Sequence, residues 1–182
     1  MSVDTPRYVT PIIADPYPNG PWQEITNFRY LTPLHLYRAR RGIPFGTAMR
    51  GADYVVAQPY RIAIDIDGIT KNITVPAGML TDLASVPSFA RAVAGRVGRH
   101  LEASIVHDFL YIAWQDLPNR SPEKRDRKYA DLILDQGMKA AQSRVRMPIF
   151  RAVRLFGWGV YKKPDNPRYI DTDDIEPGPA II

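Results

Sequence analysis

Seventeen prolines punctuate the 182 residues, and their placement limits what each stretch of chain can become. Proline locks φ and lacks an amide hydrogen, so it is poorly tolerated inside helices and central strands. Pro6, Pro11, Pro16, Pro18 and Pro21 crowd residues 1–22, and Pro164, Pro167, Pro177 and Pro179 crowd residues 164–182. Both ends therefore read as extended arms, the second an acidic tail carrying Asp171, Asp173, Asp174 and Glu176. Residues 23–163 are left as a single domain of ordinary size.

Within that domain the first part reads as β. Ile25–Leu31, Asp53–Ala57, Tyr60–Ile66 and Ile69–Val75 are short, rich in β-branched and aromatic residues, and partly alternating. Asp67-Gly68 between the last two predicts a hairpin, because both residues tolerate positive φ. A calcium-loop reading of Asp65-x-Asp67-Gly68 fails for want of the later acidic ligands. Arg38 to Gly42 reads as a basic surface loop.

The second part reads as helical. A first helix is expected over about Arg99–Trp114, with Ala103, Val106, Leu110 and Trp114 facing the core. Gln115–Arg120 forms a polar connection, and Ser121-Pro122 opens a second helix running to about Ala141. Pro148 opens a third, whose apolar stripe is Ile149, Ala152, Val153, Phe156 and Val160. The fold class is α+β: a β-rich half with hairpins, packed on a helical hairpin plus one amphipathic helix.

Composition excludes several chemistries. With no cysteine there is no disulfide, thiolate zinc site or cysteine nucleophile. With only His35, His100 and His107 as histidines, a metal site must lean on carboxylates, which favours a divalent cation such as calcium or magnesium. No apolar run approaches the ~20 residues that span a bilayer. The N-terminus has no secretory signature, so synthesis in the cytoplasm is expected. Of the net charge of +5, much is concentrated at Arg144, Arg146, Arg151 and Arg154. That stripe reads equally as a solvated helix face or as a surface for an anionic partner. It lacks the interleaved aromatics of a nucleic-acid module, so nucleic acid is not an expected partner.

One constellation can carry chemistry. His107 and Tyr111 are four residues apart and share a helix face, while Asp108 points about 100° away. His107 lies ~16 Å of helix from the turn near Pro118, and Asp131 ~20 Å beyond it, so an antiparallel hairpin brings them to similar height. A carboxylate there would fix the tautomer of the imidazole, as a general base requires. Asp108 is then free to bind a cation, with Thr81-Asp82-Leu83-Ala84-Ser85-Val86-Pro87 supplying the Asp82 carboxylate and the Ser85 hydroxyl. A purely structural His–carboxylate pair has the same spacing.

Two resemblances rest on these residues. The run from Val75 to Pro87, then Val106-His-Asp-Phe-Leu-Tyr111, Ala130-Asp131 and Ala152-Val-Arg-Leu-Phe-Gly157, resembles a domain of unknown function found in phages and prophages. It covers roughly residues 70–160 and implies phage origin without a settled activity. Separately, His107-Asp108-x-x-Tyr111 followed by Ala130-Asp131 is similar to the helix pair of secreted and parvoviral phospholipases A2. That similarity implies that His107 activates water, Asp108 holds calcium, Asp131 orients His107 and Tyr111 braces Asp131. The glycine-rich calcium loop of those enzymes has no counterpart, since Thr81–Pro87 contains no glycine.

Two functions are expected from these readings. One is a virion-associated bacteriophage structural protein of the tail or connector. Its arms, residues 1–22 and 164–182, would contact other phage proteins or copies of itself. The other is a metal-assisted hydrolase of an ester, phosphodiester or cell-wall bond, with His107, Asp131 and Tyr111 as its catalytic group and Asp82 and Asp108 at the metal.

Overall fold

A computed structural model describes residues 7–38, 54–81, 100–164 and 168–175. The architecture is α+β, with two three-stranded antiparallel sheets followed by three helices among the described residues. The first sheet has the order β1 (Ile25–Tyr30), β4 (Tyr60–Ile66), β5 (Ile69–Val75). Asp67 and Gly68 close the β4–β5 hairpin with φ of 49° and 81°, the paired positive values that a two-residue turn between right-twisted strands demands. The register runs without interruption from Tyr60–Val75 to Ile66–Ile69. On β4, Ile62 and Ile64 are fully buried.

The second sheet joins β2 (Leu36–Arg38), β3 (Tyr54–Val56) and β6 (Leu80–Thr81). At three and two residues, β2 and β6 are too short to show a strand period, and sequence reading passed over both. The basic segment expected as a loop begins inside β2 at Arg38, and its remainder lies outside the described residues.

The helices are α1 (Leu101–Ile112), extended by a 3-10 turn at Ala113–Asp116, α2 (Lys124–Ala140) and α3 (Arg146–Tyr161). The expected core face of the first helix is present: Ala103, Val106, Leu110 and Trp114 are all buried. The second helix starts at Lys124, later than Ser121-Pro122, and its cap residue Glu123 makes no side-chain cap bond. Gly137 lets α2 lie close to both α1 and the sheet. A Cβ there would fall 2.7 Å from that of Ala103 and 3.1 Å from the Phe28 ring. The Gly137 carbonyl also accepts from the Tyr30 hydroxyl at 3.0 Å.

The third helix departs from the expected stripe. Ile149, Ala152 and Val153 are buried, but the buried face continues through Gly157 and Tyr161. Phe156 and Val160 are 63% and 67% exposed instead.

Parts of both arms pack on this same chain. Tyr17 is fully buried and donates its hydroxyl to the Leu110 carbonyl at 2.6 Å, while the Tyr129 hydroxyl donates to the Pro16 carbonyl at 3.0 Å. Arg120 pairs with Asp15 and lies over the Tyr17 ring. At the other end, Ile170 bridges to Tyr8, and Tyr169 bridges to Met79. Gly78 makes this possible. Its φ is +83°, and a Cβ there would sit 2.2 Å from the Ile170 carbonyl oxygen.

Candidate functional site

The α1–α2 pairing brings His107 and Asp131 together at the depth where helical rise places them. His107 Nε2 lies 3.1 Å from Asp131 Oδ1. The Tyr111 hydroxyl, one turn along α1, donates to that same oxygen at 2.7 Å. The His107 and Tyr111 rings stack at a tilt, 4.1 Å between centroids. Two of the expected residues thus converge on the carboxylate of a third, Asp131, which is itself fully buried.

A buried carboxylate is stable only if its charge is met and its lone pairs are filled. The remaining oxygen supplies the answer: Asp131 Oδ2 accepts from Arg154 Nη1 of α3 at 2.9 Å, with Arg127 Nη1 3.9 Å away. Burial pushes the Asp131 carboxyl up, but the His107 hydrogen bond and charge, with the Tyr111 and Arg154 bonds, more than offset it. The net effect holds Asp131 below the ordinary carboxylate value. Asp131 is therefore an ionised acceptor at neutral pH.

Arg154, Arg127 and Gly157 were not read as site residues. Arg127 could have been found, since it precedes Asp131 by four residues on one helix. Its Nη1 also donates to the Val153 and Arg154 carbonyls in the middle of α3, at 3.4 and 3.2 Å. Arg154 read as part of a basic stripe, and only the crossing of α3 over α1 and α2 turns it inward. Gly157 sets that crossing: a Cβ there would lie 2.3 Å from the Tyr111 hydroxyl oxygen.

An ionised Asp131 fixes the imidazole. Nε2 must carry the hydrogen in the Asp131 contact, so a neutral ring has its lone pair on Nδ1. That Nδ1 is buried and has no hydrogen-bond partner among the described residues. It faces Asp108, whose Oδ1 is 4.0 Å away. Asp108 Oδ2 accepts from the Thr81 hydroxyl at 2.9 Å, tying the site to the end of β6. Side-chain exposure rises from nothing at Asp131 to 2% at His107 and 12% at Asp108. Nδ1 thus points to the side nearer solvent.

The second carboxylate expected at a cation, Asp82, lies outside the described residues, as does Ser85. Among the described residues no three His, Asp or Glu side chains converge to hold a metal ion. Asp108 and Thr81 alone do not make up the oxygen shell that calcium requires. An open groove elsewhere, lined by Asp15, Asn19, Pro118 and Arg125 among others, does not include the dyad.

A family model for a protein of unknown function (DUF1353) matches residues 54–153, more than half of the chain. His107, Asp108, Tyr111 and Asp131 fall inside that span, and Arg154 and Gly157 lie just beyond it. No curated protein and no solved structure matches the chain.

Proposed function

The chain belongs to the DUF1353 family of proteins of unknown function, and within its matched span we propose a hydrolase in which His107 is the general base. The observation that carries this reading is the buried Nδ1 of His107, without a hydrogen-bond partner among the described residues, on a ring whose other nitrogen is bound to Asp131. A structural histidine needs partners on both sides, because an unmet buried polar atom costs about 1–3 kcal/mol. A base needs one side held and the other left without a protein partner.

The spacing of the two buried acceptors matches a bridging water, which side-chain movement on substrate entry would admit. One placed about 2.8 Å from both His107 Nδ1 and Asp108 Oδ1 would sit beside the 4.0 Å line joining them. The angle at its oxygen would be about 90°, near that between its own two O–H bonds. Asp108 then orients the water while Nδ1 takes its proton. The resulting hydroxide attacks an acyl or phosphoryl centre, and His107 returns the proton to the departing alkoxide. The products are an acid and an alcohol. Asp131, held by Tyr111 and Arg154, stabilises the imidazolium formed between the two proton transfers. The cation that the phospholipase similarity implies would polarise the substrate oxygen, but the described donors do not make up its site, and no step here depends on it.

Hydrolysis of a p-nitrophenyl acyl ester, bis-p-nitrophenyl phosphate and purified peptidoglycan tests the proposal. His107→Ala should lower the rate on the accepted substrate by roughly 10²–10⁴-fold, with its thermal transition still cooperative, and added imidazole should restore part of it. Equal rates in the two proteins, or no turnover of any of the three by the wild type, would sink the reading.

A second reading, a virion-associated structural protein with arms on neighbouring subunits, is supported by the resemblance to phage sequences. Pro16, Tyr17, Tyr169 and Ile170 find partners within this chain, and those contacts add no support to it. Its test is the presence of the protein in purified virions.

A further inference from the structure

Between Arg144 and Lys163 the chain carries six basic residues and no acidic one. Two of the six are spent inside the fold: Arg146 binds both oxygens of Asp135 at 2.6 Å, and Arg154 binds Asp131. Arg144, Arg151, Lys162 and Lys163 remain, all exposed and without an ion pair among the described residues. They flank large apolar side chains on the outer face of α3. Leu155 is 75% exposed, Val160 67%, Phe156 63% and Met147 46%. A helix that faces water alone does not spend four large apolar side chains on its outer surface.

We infer that the outer face of α3 docks on the surface of an anionic phospholipid bilayer. Charge decides between occupants. A second copy meeting this face through a two-fold axis would bring four uncompensated cations of each chain against the same four of its partner, an arrangement with no anion to relieve it. An anionic lipid surface relieves all of them, at roughly one fivefold step in affinity per basic side chain. Shape points the same way. At 100° per residue Leu155, Phe156 and Val160 spread over about 140° of the last turns of α3, a broad arc that a bilayer interface receives without a matching groove, and helices that lie in that interface join Leu and Phe to Lys and Arg. The helix lies on the membrane and does not enter it: no helix among the described residues is long and apolar enough to cross. This inference stands on the exposed face of α3 and is independent of the chemistry assigned to His107.

Cosedimentation of the full chain with vesicles tests it. One set is phosphatidylcholine alone, and the other is phosphatidylcholine and phosphatidylglycerol in equal parts. Binding to the anionic set should be at least about tenfold tighter and should weaken as salt is added. Arg151→Ala should lower it about fivefold. The double variant Leu155→Ser, Val160→Ser, with its circular dichroism unchanged, should lose most of it. Failure to bind the anionic vesicles overturns the inference, as does equal binding by the double variant. Two other results also overturn it by naming another occupant: dimerisation in sedimentation equilibrium that the double variant abolishes, or binding to polyglutamate without binding to vesicles.

Discussion

A β-carbon on Gly157 of α3 would lie 2.3 Å from the Tyr111 hydroxyl oxygen of α1. That oxygen is not free to retreat, because it donates to Asp131 at 2.7 Å. The helix crossing and the orientation of the Asp131 carboxylate are therefore one packing problem. Gly157→Ala should destabilise the protein by about 1–3 kcal/mol in urea denaturation. Tyr111→Phe removes both the obstruction and a buried bond to a charge, and should cost about 1.5–3 kcal/mol by itself. In the double variant the two losses should sum to less than their separate values by at least about 0.5 kcal/mol. Strict additivity would show that the alanine is accommodated without disturbing Tyr111.

Asp131 gives the site a signed pH dependence. Its carboxyl is held below the ordinary value of 3.8, burial being outweighed by His107, Tyr111 and Arg154. A carboxyl depressed on folding contributes stability in full above its unfolded value, and that contribution is lost as pH falls through the folded one. Asp126 has the opposite slope, since burial raises it and Arg120 only partly offsets this. At pH 7, Asp131→Asn should lower stability by roughly 2–3 kcal/mol, because Arg154 and His107 lose their anion. The gap to wild type should narrow as pH drops below 3.8. A gap that is constant across this range would mean that the ionised form is not what the fold holds.

Gly78 governs the closing segment of the fold. With φ of +83° and the Ile170 carbonyl in the path of any Cβ, Gly78→Ala should cost more than about 1 kcal/mol. The loss should be local. Amide exchange should accelerate at Leu80 and Ile170, which donate to the Arg168 and Gly78 carbonyls, while the amides of α1 keep their protection.

What was legible in the sequence was what local geometry decides. Asp67-Gly68 announces its turn because few residue pairs accept two positive φ values in a row, and both angles are positive in the structure. The meeting of His107 with Asp131 follows from helical rise counted from a common turn. The crossing of α3 was not legible, and its stripe was misjudged for one reason: it packs closest where a glycine faces its neighbour, so hydrophobicity does not mark the contact. Phe156 and Val160 turn outward and Arg154 turns inward as a consequence. Arg154, read as part of a basic surface stripe, became the counter-ion of the buried carboxylate. The Asp82 side of the site falls outside the described residues.

The central claim is that Asp131 holds His107 in the Nε2–H form, leaving Nδ1 as the basic nitrogen. Ring ¹⁵N NMR of His107 in the neutral form tests this directly, with His107→Gln supplying the assignment. A protonated Nε2 coupled to its hydrogen and an unprotonated, lone-pair-bearing Nδ1 are expected. A hydrogen found on Nδ1 of the neutral ring would contradict the claim, for that nitrogen could then accept no proton from water.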